Sequence, residues 1–387
     1  MAENNKILEH FRLVLTTDSP VFIGDGGKLN KKEYIRKGQT VYVPNKQKMY
    51  RALIQKKLVD KYEDYMLSSD WADLGGWLEK QRIYKETYSS WIDYTLNCDL
   101  EASGKGQVRM MTCIKDSYGN PYVPGSSIKG ALRTILLAYL IDQDSKKYNG
   151  LRDRLSNEAN RQRFDWNIAR KKYLEGEIKD IETEALHTLK RKAEEIQDAV
   201  NDMMACLRIS DSKPLKTSDL IMCQKWDMNP NGIIKTINTA RECIKPGVKI
   251  EFDVTIDLRR GYPEDQRAPF SIQMLKDAIE YFARQYVRCF FKPFKELGKI
   301  SGCTHINNMI WLGGGVGYVS KTIVYPMLGK DAGLTAVSDI MQKTVNNRDH
   351  HHENDQARGV SPHMVKCTRY NGELYEFGRC LVQFFEE

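Results

Sequence analysis

Residues 120–133 read Asn-Pro-Tyr-Val-Pro-Gly-Ser-Ser-Ile-Lys-Gly-Ala-Leu-Arg, and this stretch constrains the chain more than any other. Pro124-Gly125 breaks an extended segment. Ser126 or Ser127 is then a natural N-cap for the following helix, since either hydroxyl can accept a bond from a first-turn N–H. Short hydroxyls, free backbone N–H groups, Lys129 and Arg133 gather at one helix N-terminus, with Gly130 on the first turn. Such an end attracts anions, a backbone phosphate among them. An ordinary capped helix with exposed cations fits the same residues equally well.

Periodicity places the other elements. Phe11, Leu13 and Leu15 alternate with more polar neighbours and read as a first strand. Residues 47–60 look helical, and 61–100 carry Trp71, Trp77 and Trp91 on a helical, partly apolar insertion. Arg109–Ile114 and Pro121–Val123 flank a turn and form a hairpin that feeds the helix 127–141. Lys249–Asp257 alternates cleanly, with Ile250, Phe252, Val254 and Ile256 inward. Ser271–Phe294 repeats apolar residues at helical spacing, and Met309–Trp311 and Tyr318–Tyr325 are strand-like. The order strand, helix, strand, strand, helix, strand is ferredoxin-like, an α+β fold also called RRM-like. The expected core spans 1–325, with helical insertions at about 61–100 and 144–204. Residues 326–387 read as a C-terminal extension holding a β-hairpin that turns at Asn371-Gly372.

The insertion at 144–204 is unusual. Between 144 and 202 there are thirteen Lys+Arg and thirteen Asp+Glu, and no proline occurs from Gly125 through Lys213. Leu174, Ile178, Ile181, Ala185, Leu189, Ile196, Val200 and Met203 are spaced mostly by three and four. That spacing predicts a long amphipathic helix, roughly 50 Å if continuous, lying as a solvated hairpin along one apolar stripe.

Composition narrows the function classes. The formal charge of +8 is compatible with a polyanionic partner without demanding one. Nine cysteines with no C-x-x-C pair argue for free thiols in a reducing cytoplasm, against a disulfide framework or a zinc site. No signal peptide and no bilayer-length apolar run is seen, so neither secretion nor a membrane partner is expected.

Two glycine loops and a histidine run are the remaining candidates. Gly24, Gly26 and Gly27 give backbone freedom beside Lys28, Lys31 and Lys32, which can neutralise phosphates or simply stay solvated. Gly313, Gly315 and Gly317 have the wrong spacing for a dinucleotide fingerprint, so no nucleotide cofactor is expected. Asp25 and Glu33 are the acids nearest the first loop, and Asp25 reads as a turn residue. His350-His-His352, with His363 beyond, reads as a polar loop, since three consecutive histidines cannot all face one ion from a regular element. No metal and no catalytic residue is assigned.

The wording of Val123-Pro-Gly-Ser-Ser-Ile-Lys-Gly-Ala-Leu-Arg133 resembles the signature of the RAMP superfamily, CRISPR-associated RNA-binding proteins with a ferredoxin-like fold. Asp18–Ile35 with Val41–Pro44, Leu312–Thr322, and Gly359–Lys366 with Tyr370–Gly378 look like one branch of it. That branch is the end-capping subunits of type III-A CRISPR Csm effector complexes. The resemblance implies a non-catalytic subunit that holds the 3′ region of the crRNA and supports its maturation in antiviral defence. The implied partners are crRNA and target RNA, an adjacent Csm backbone subunit, the small helical subunit and a trimming nuclease from the host. In this superfamily the glycine loop near the last core strand lines the RNA path, which here implies Gly314, Gly315, Gly317 and Lys321. Related backbone subunits cut RNA with an aspartate for which no match is found. An endoribonuclease acting on precursor or target RNA is the alternative.

Overall fold

The computed structural model describes residues 8–386 apart from 70–71, 101–107, 164, 166, 170–171, 193, 263–267, 295–305 and 346–350. Trp71 and His350 lie outside the described residues. Strand β1 (Leu8–Thr17) is followed by β2 (Gly24–Leu29), β3 (Ile35–Lys37) and β4 (Thr40–Pro44). Helices α1 (Lys46–Gln55), α2 (Val59–Leu67), α3 (Leu74–Lys80) and α4 (Lys85–Tyr88) precede β5 (Ile92–Asn97) and β6 (Arg109–Cys113). Then come α5 (Gly125–Gln143), α6 (Asn149–Arg163), α7 (Glu175–Leu186), β7 (Leu207–Ile209), β8 (Leu220–Met228), β9 (Ile234–Ile244) and β10 (Lys249–Asp257). The chain closes with α8 (Ile272–Tyr286), β11 (Met309–Trp311), α9 (Val324–Thr344), α10 (Asp355–Arg358), β12 (Val365–Tyr370), β13 (Glu373–Glu376) and β14 (Arg379–Glu386).

This is a mixed α+β architecture. One sheet has the order β11-β14-β1-β10-β7, and its neighbours all pair antiparallel. Alternation sets its register: Leu13 faces Phe252 and Leu15 faces Ile250, all buried. Segment 379–386 lies in this sheet beside β1, at the opposite end of the chain. Buried Arg379 pairs with Asp18, and its N–H donates to Ser19 Oγ at 2.8 Å, which ties the two ends together. Helices α5 and α8 pack on one another through Tyr139 and Tyr281, and bury Leu132, Leu136, Leu275 and Ile279 in the main core.

A second sheet runs β13-β12-β8-β9-β6-β2, with β6 and β9 parallel. Its β12–β13 hairpin turns at Asn371 (φ 51°) and Gly372 (φ 80°), the two left-handed residues a type I′ turn needs. The small sheet β3-β4-β5 packs with α1–α4 around a separate apolar cluster, where Trp77 stacks on Tyr65 with ring centres 5.2 Å apart. Among the described residues no helix is long and apolar enough to cross a membrane.

Two expectations fail on packing grounds. Segment 144–204 is not one long helix: Leu174 turns left-handed (φ 57°) between α6 and α7, and α7 stops at Leu186. Beyond it the Asn201 side chain donates to the carbonyls of Lys192 and Glu195, which stabilises turns in place of a helix. Nor does the segment lie as a solvated hairpin held along one stripe. Leu155, Ile181, Leu186 and Leu189 are fully buried in the main core, and Arg163 pairs with Asp339 of α9 at 2.5 Å. The expected strand 318–325 is a short 3-10 turn (Val319–Lys321) followed by the start of α9, where Thr322 Oγ1 accepts the Val324 N–H at 3.2 Å.

Candidate nucleic-acid interface

The signature stretch begins α5, but neither serine caps it. Pro124 is the N-cap residue, extended at ψ 135° and without a side-chain acceptor, so Ser126 and Ser127 fall inside the first turn. The acceptor comes from elsewhere: Asp211 Oδ1 takes the Gly125 N–H at 2.9 Å. This is possible because Gly125 lies directly on the chain after β7. A Cβ there would stand 2.2 Å from Ile209 O and 2.4 Å from Ser210 O, so only glycine fits.

Helical geometry then divides the motif. Ser126, Ser127, Gly130, Ala131 and Thr134 share one face and wall a cavity of about 590 Å³. Lys129 and Arg133 point elsewhere. Lys129 Nζ donates to Leu207 O at 2.7 Å, and Arg133 pairs with Asp202 and, at 3.5 Å, with Glu182. Both cations are half-buried and engaged by protein, so the phosphate role expected of them has no support in this geometry.

The opposite walls come from the two glycine loops. Gly24 and Gly26 line the cavity with Phe22 and Ile23, and Gly314 lines it with Trp311–Gly313, Ser320 and Lys321. The loops touch: the Gly314 N–H donates to Phe22 O at 2.7 Å. Contact this close requires Gly313, which has φ 89° and whose Cβ would lie 2.2 Å from Phe22 O. Three segments far apart in sequence thus meet around one polar-edged groove.

Lys321 is the cation of that groove. The residue is exposed at the rim, yet the packing around it lowers its ammonium below the ordinary lysine range through burial. It has no counter-ion among the described residues. The first loop contributes less charge than expected. Lys32 Nζ is held by Ser68 O at 2.7 Å and by Tyr65 O at 2.5 Å, closing the end of α2. Lys28 is exposed on β2, and neither Lys28, Lys31 nor Gly27 walls the cavity. Asp25 Oδ1 accepts the Gly27 N–H at 2.7 Å and Thr112 Oγ1 at 2.6 Å, a turn role. Glu33 is paired with Lys46 at 2.8 Å.

Sequence reasoning missed a second group of cations. Gly315 rests on Arg241, whose guanidinium lies 5.5 Å from the ring centres of both Phe22 and Phe377. Its Nε and Nη1 are buried and without hydrogen-bond partners among the described residues. Burial holds the guanidinium below its ordinary pKa. Lys366 lies against Gly317, and Lys366 and Lys225 share Asp227 at 3.0 and 3.6 Å. Three cations against one carboxylate leave the underside of the 313–317 loop positive. They come from β8, β9 and β12, so no local spacing could have announced them.

The sequence model described as the RAMP superfamily matches residues 14–320. A Mycobacterium tuberculosis protein named "CRISPR system Cms protein Csm5" is 29% identical over 97% of this chain and 98% of its own length. The Streptococcus thermophilus protein of the same name is 29% identical over 81% of this chain and 80% of its own. Among solved structures, a chain in the cryo-EM structure of the Csm-crRNA-target RNA ternary complex of a type III-A CRISPR-Cas system superposes with TM-score 0.63 at 17% identity, covering 96% of this chain and all of that one. The crystal structure of T. onnurineus Csm5 gives 0.58 at 17%, covering 95% and 99%. At that identity the two structures bear on the fold.

Proposed function

The chain belongs to the RAMP superfamily, and on that footing we propose that it is the crRNA-binding subunit that caps the 3′ end of a type III-A Csm complex. One observation carries this reading: three sequence-distant segments converge on a groove whose cation, Lys321, has no counter-ion among the described residues. An exposed cation at a groove rim can take a phosphate without first breaking a protein ion pair, and RNA phosphate is the anion this family handles. Similarity over 97% and 81% of this chain to two proteins named Csm5 supports the choice of subunit. The partners are the 3′ region of crRNA, target RNA, the neighbouring backbone subunit, the small helical subunit and a host trimming nuclease.

The antiparallel run β14-β1-β10-β7, with α5 and α8 between its strands, supports a ferredoxin-like core. In that reading β14 takes the place of the last core strand. The separate cluster around Trp77 supports an insertion near 61–100.

The subunit acts by binding, not by cutting. Cleavage needs a positioned base, an acid or metal ions near the scissile phosphate. Asp25 and Glu33, the acids nearest the first glycine loop in sequence, are both engaged in local bonds. Co-expression with the other complex subunits should recover this chain with a bound guide RNA. The isolated chain should leave labelled guide and target RNA intact overnight with magnesium, manganese or chelator. Failure to join the complex overturns the reading. Cleavage lost in Asp25→Ala would make the chain an endoribonuclease.

A further inference from the structure

We propose that His352, Asp355 and His363 form a binding site for one divalent transition ion of the zinc class. Their donor atoms all lie within 4.8 Å of one another, and all three residues are buried. Asp355 is the centre: His352 Nδ1 stands 2.9 Å from its Oδ2 and His363 Nδ1 2.6 Å from its Oδ1. Ser361 Oγ donates to Oδ2 at 2.8 Å and supports the carboxylate from outside, as outer-shell partners of metal ligands do.

The histidine run explained as a polar loop therefore splits. His351 is exposed, while His352 is turned inward by the bond from Ser338 Oγ to its carbonyl at 2.7 Å. His363 is brought over by the chain after Ser361, whose carbonyl accepts Tyr325 Oη at 2.6 Å. Both anchors belong to α9, so the three side chains are fixed from a rigid element, as a ligand set needs.

Proton counting favours an ion over a plain hydrogen-bonded staple. His363 Nδ1 must donate to satisfy Asp355 Oδ1 at 2.6 Å, yet Arg358 Nη1, a donor, stands 3.2 Å from the same nitrogen. One ring nitrogen cannot donate and accept at once. With a metal, both Nδ1 atoms would offer lone pairs to the ion and carry their protons on Nε2. Arg358, exposed, also donates to His351 O at 2.9 Å and to Asp355 Oδ1 at 3.1 Å, and can keep the carbonyl contact when an ion takes the carboxylate. Metal–ligand bonds of about 2.1 Å at tetrahedral angles separate ligand atoms by about 3.4 Å, so the donors need move only a few tenths of an ångström to one ångström. Two imidazoles select zinc-like ions over magnesium or calcium. A cavity of about 260 Å³ touches His352 and extends to Gly317 and Lys366, giving a fourth ligand, such as water, a way in. The ion would fix the segment that leads into β12 and hence Lys366 beside the glycine loop. This proposal stands apart from the RNA reading and survives its failure.

The test uses the full chain without a histidine tag, dialysed against low-micromolar zinc and then against buffer. Elemental analysis should find close to one zinc per chain, and cobalt loaded in its place should give visible ligand-field bands. Asp355→Asn and His363→Ala should retain less than a tenth of that zinc, while His351→Ala should retain all of it. Folded wild-type protein with no stoichiometric zinc and no cobalt bands overturns the site. Zinc lost from His351→Ala but kept by His363→Ala also overturns it. If the two ligand variants fail to fold, the wild-type zinc content and cobalt spectrum decide.

Discussion

Replacing Lys321 by alanine tests the groove most directly, because the structure says how many cations the change removes. Of the cations expected to face RNA, Lys321 walls the cavity, while Lys129 and Arg133 are spent on Leu207 O, Asp202 and Glu182. One lost single-strand phosphate contact should flatten the salt dependence by about 0.7 log units per log salt. A charge-assisted bond at an exposed rim contributes near the lower end of its range, about 1.5 kcal/mol, or roughly tenfold in affinity. The double variant Lys129→Ala, Arg133→Ala should show the reverse. It should lose about 2–4 kcal/mol of stability, since it breaks a buried donor's bond and an ion pair to half-covered Asp202. Its salt slope should match wild type as long as it stays folded. Fluorescence anisotropy with labelled guide RNA from 50 to about 300 mM salt, with urea melts in parallel, measures both. An unchanged slope in Lys321→Ala, or a flattened slope at full stability in the double variant, would refute the assignment of the groove.

Four further outcomes are expected. Gly125→Ala should cost about 2–3 kcal/mol in a urea melt, because its Cβ would stand 2.2 Å from Ile209 O; a cost under about 0.5 kcal/mol would mean the two segments separate easily. Replacing residues 150–200 by a flexible linker should leave no folded protein, since it strips Leu155, Ile181, Leu186 and Leu189 from the core. At about 1.5–3 kcal/mol each, they approach a domain's whole stability, and a soluble variant with a cooperative melt would disprove this. Lys321 titrates below the ordinary lysine range because of burial, and bound phosphate favours its charged form. RNA affinity should therefore fall as pH rises toward about 10, and fall less in Lys321→Arg, which keeps its charge; parallel declines would exclude the lysine. Arg241→Met should leave stability unchanged or raise it, because a buried cation with unpaired Nε and Nη1 is relieved, while guide affinity drops severalfold; intact affinity would make Arg241 a packing residue only.

The fold was legible where one period governs a whole element. Ile250, Phe252, Val254 and Ile256 alternate and are all buried in β10. The apolar repeat from Ile272 to Tyr286 is α8 with its buried face as expected. The turn at Asn371-Gly372 was legible for the same reason, since its chemistry is local. Reading failed where a non-local contact decides. The spacing through Leu174 to Met203 suits a helix, yet the chain bends to put Leu174, Ile181, Ala185, Leu189 and Met203 in the core and leaves Ile196 and Val200 exposed. Ser126 and Ser127 look like caps until Asp211, eighty-six positions from Gly125, takes the role.

The site shows the same division in sharper form. Sequence can say which residues carry charge but not which charges are already spent. Lys32, Lys129 and Arg133 sit in motifs that suggest phosphate, and each is consumed by a carbonyl or carboxylate of its own chain. Lys321 and Arg241 are the reverse: among the described residues one stands at a cavity rim without a counter-ion, and the other lies between two rings with Nε and Nη1 unpaired. Arg241 is the costly one of the two, because unpaired buried charge opposes folding. Their placement beneath and beside the same glycine loop suits a surface that an anion from outside would complete. Gly313 lets the loop lie on Phe22, whose carbonyl takes the Gly314 N–H, and Gly315 lets it lie on Arg241, which brings hidden positive charge to one wall.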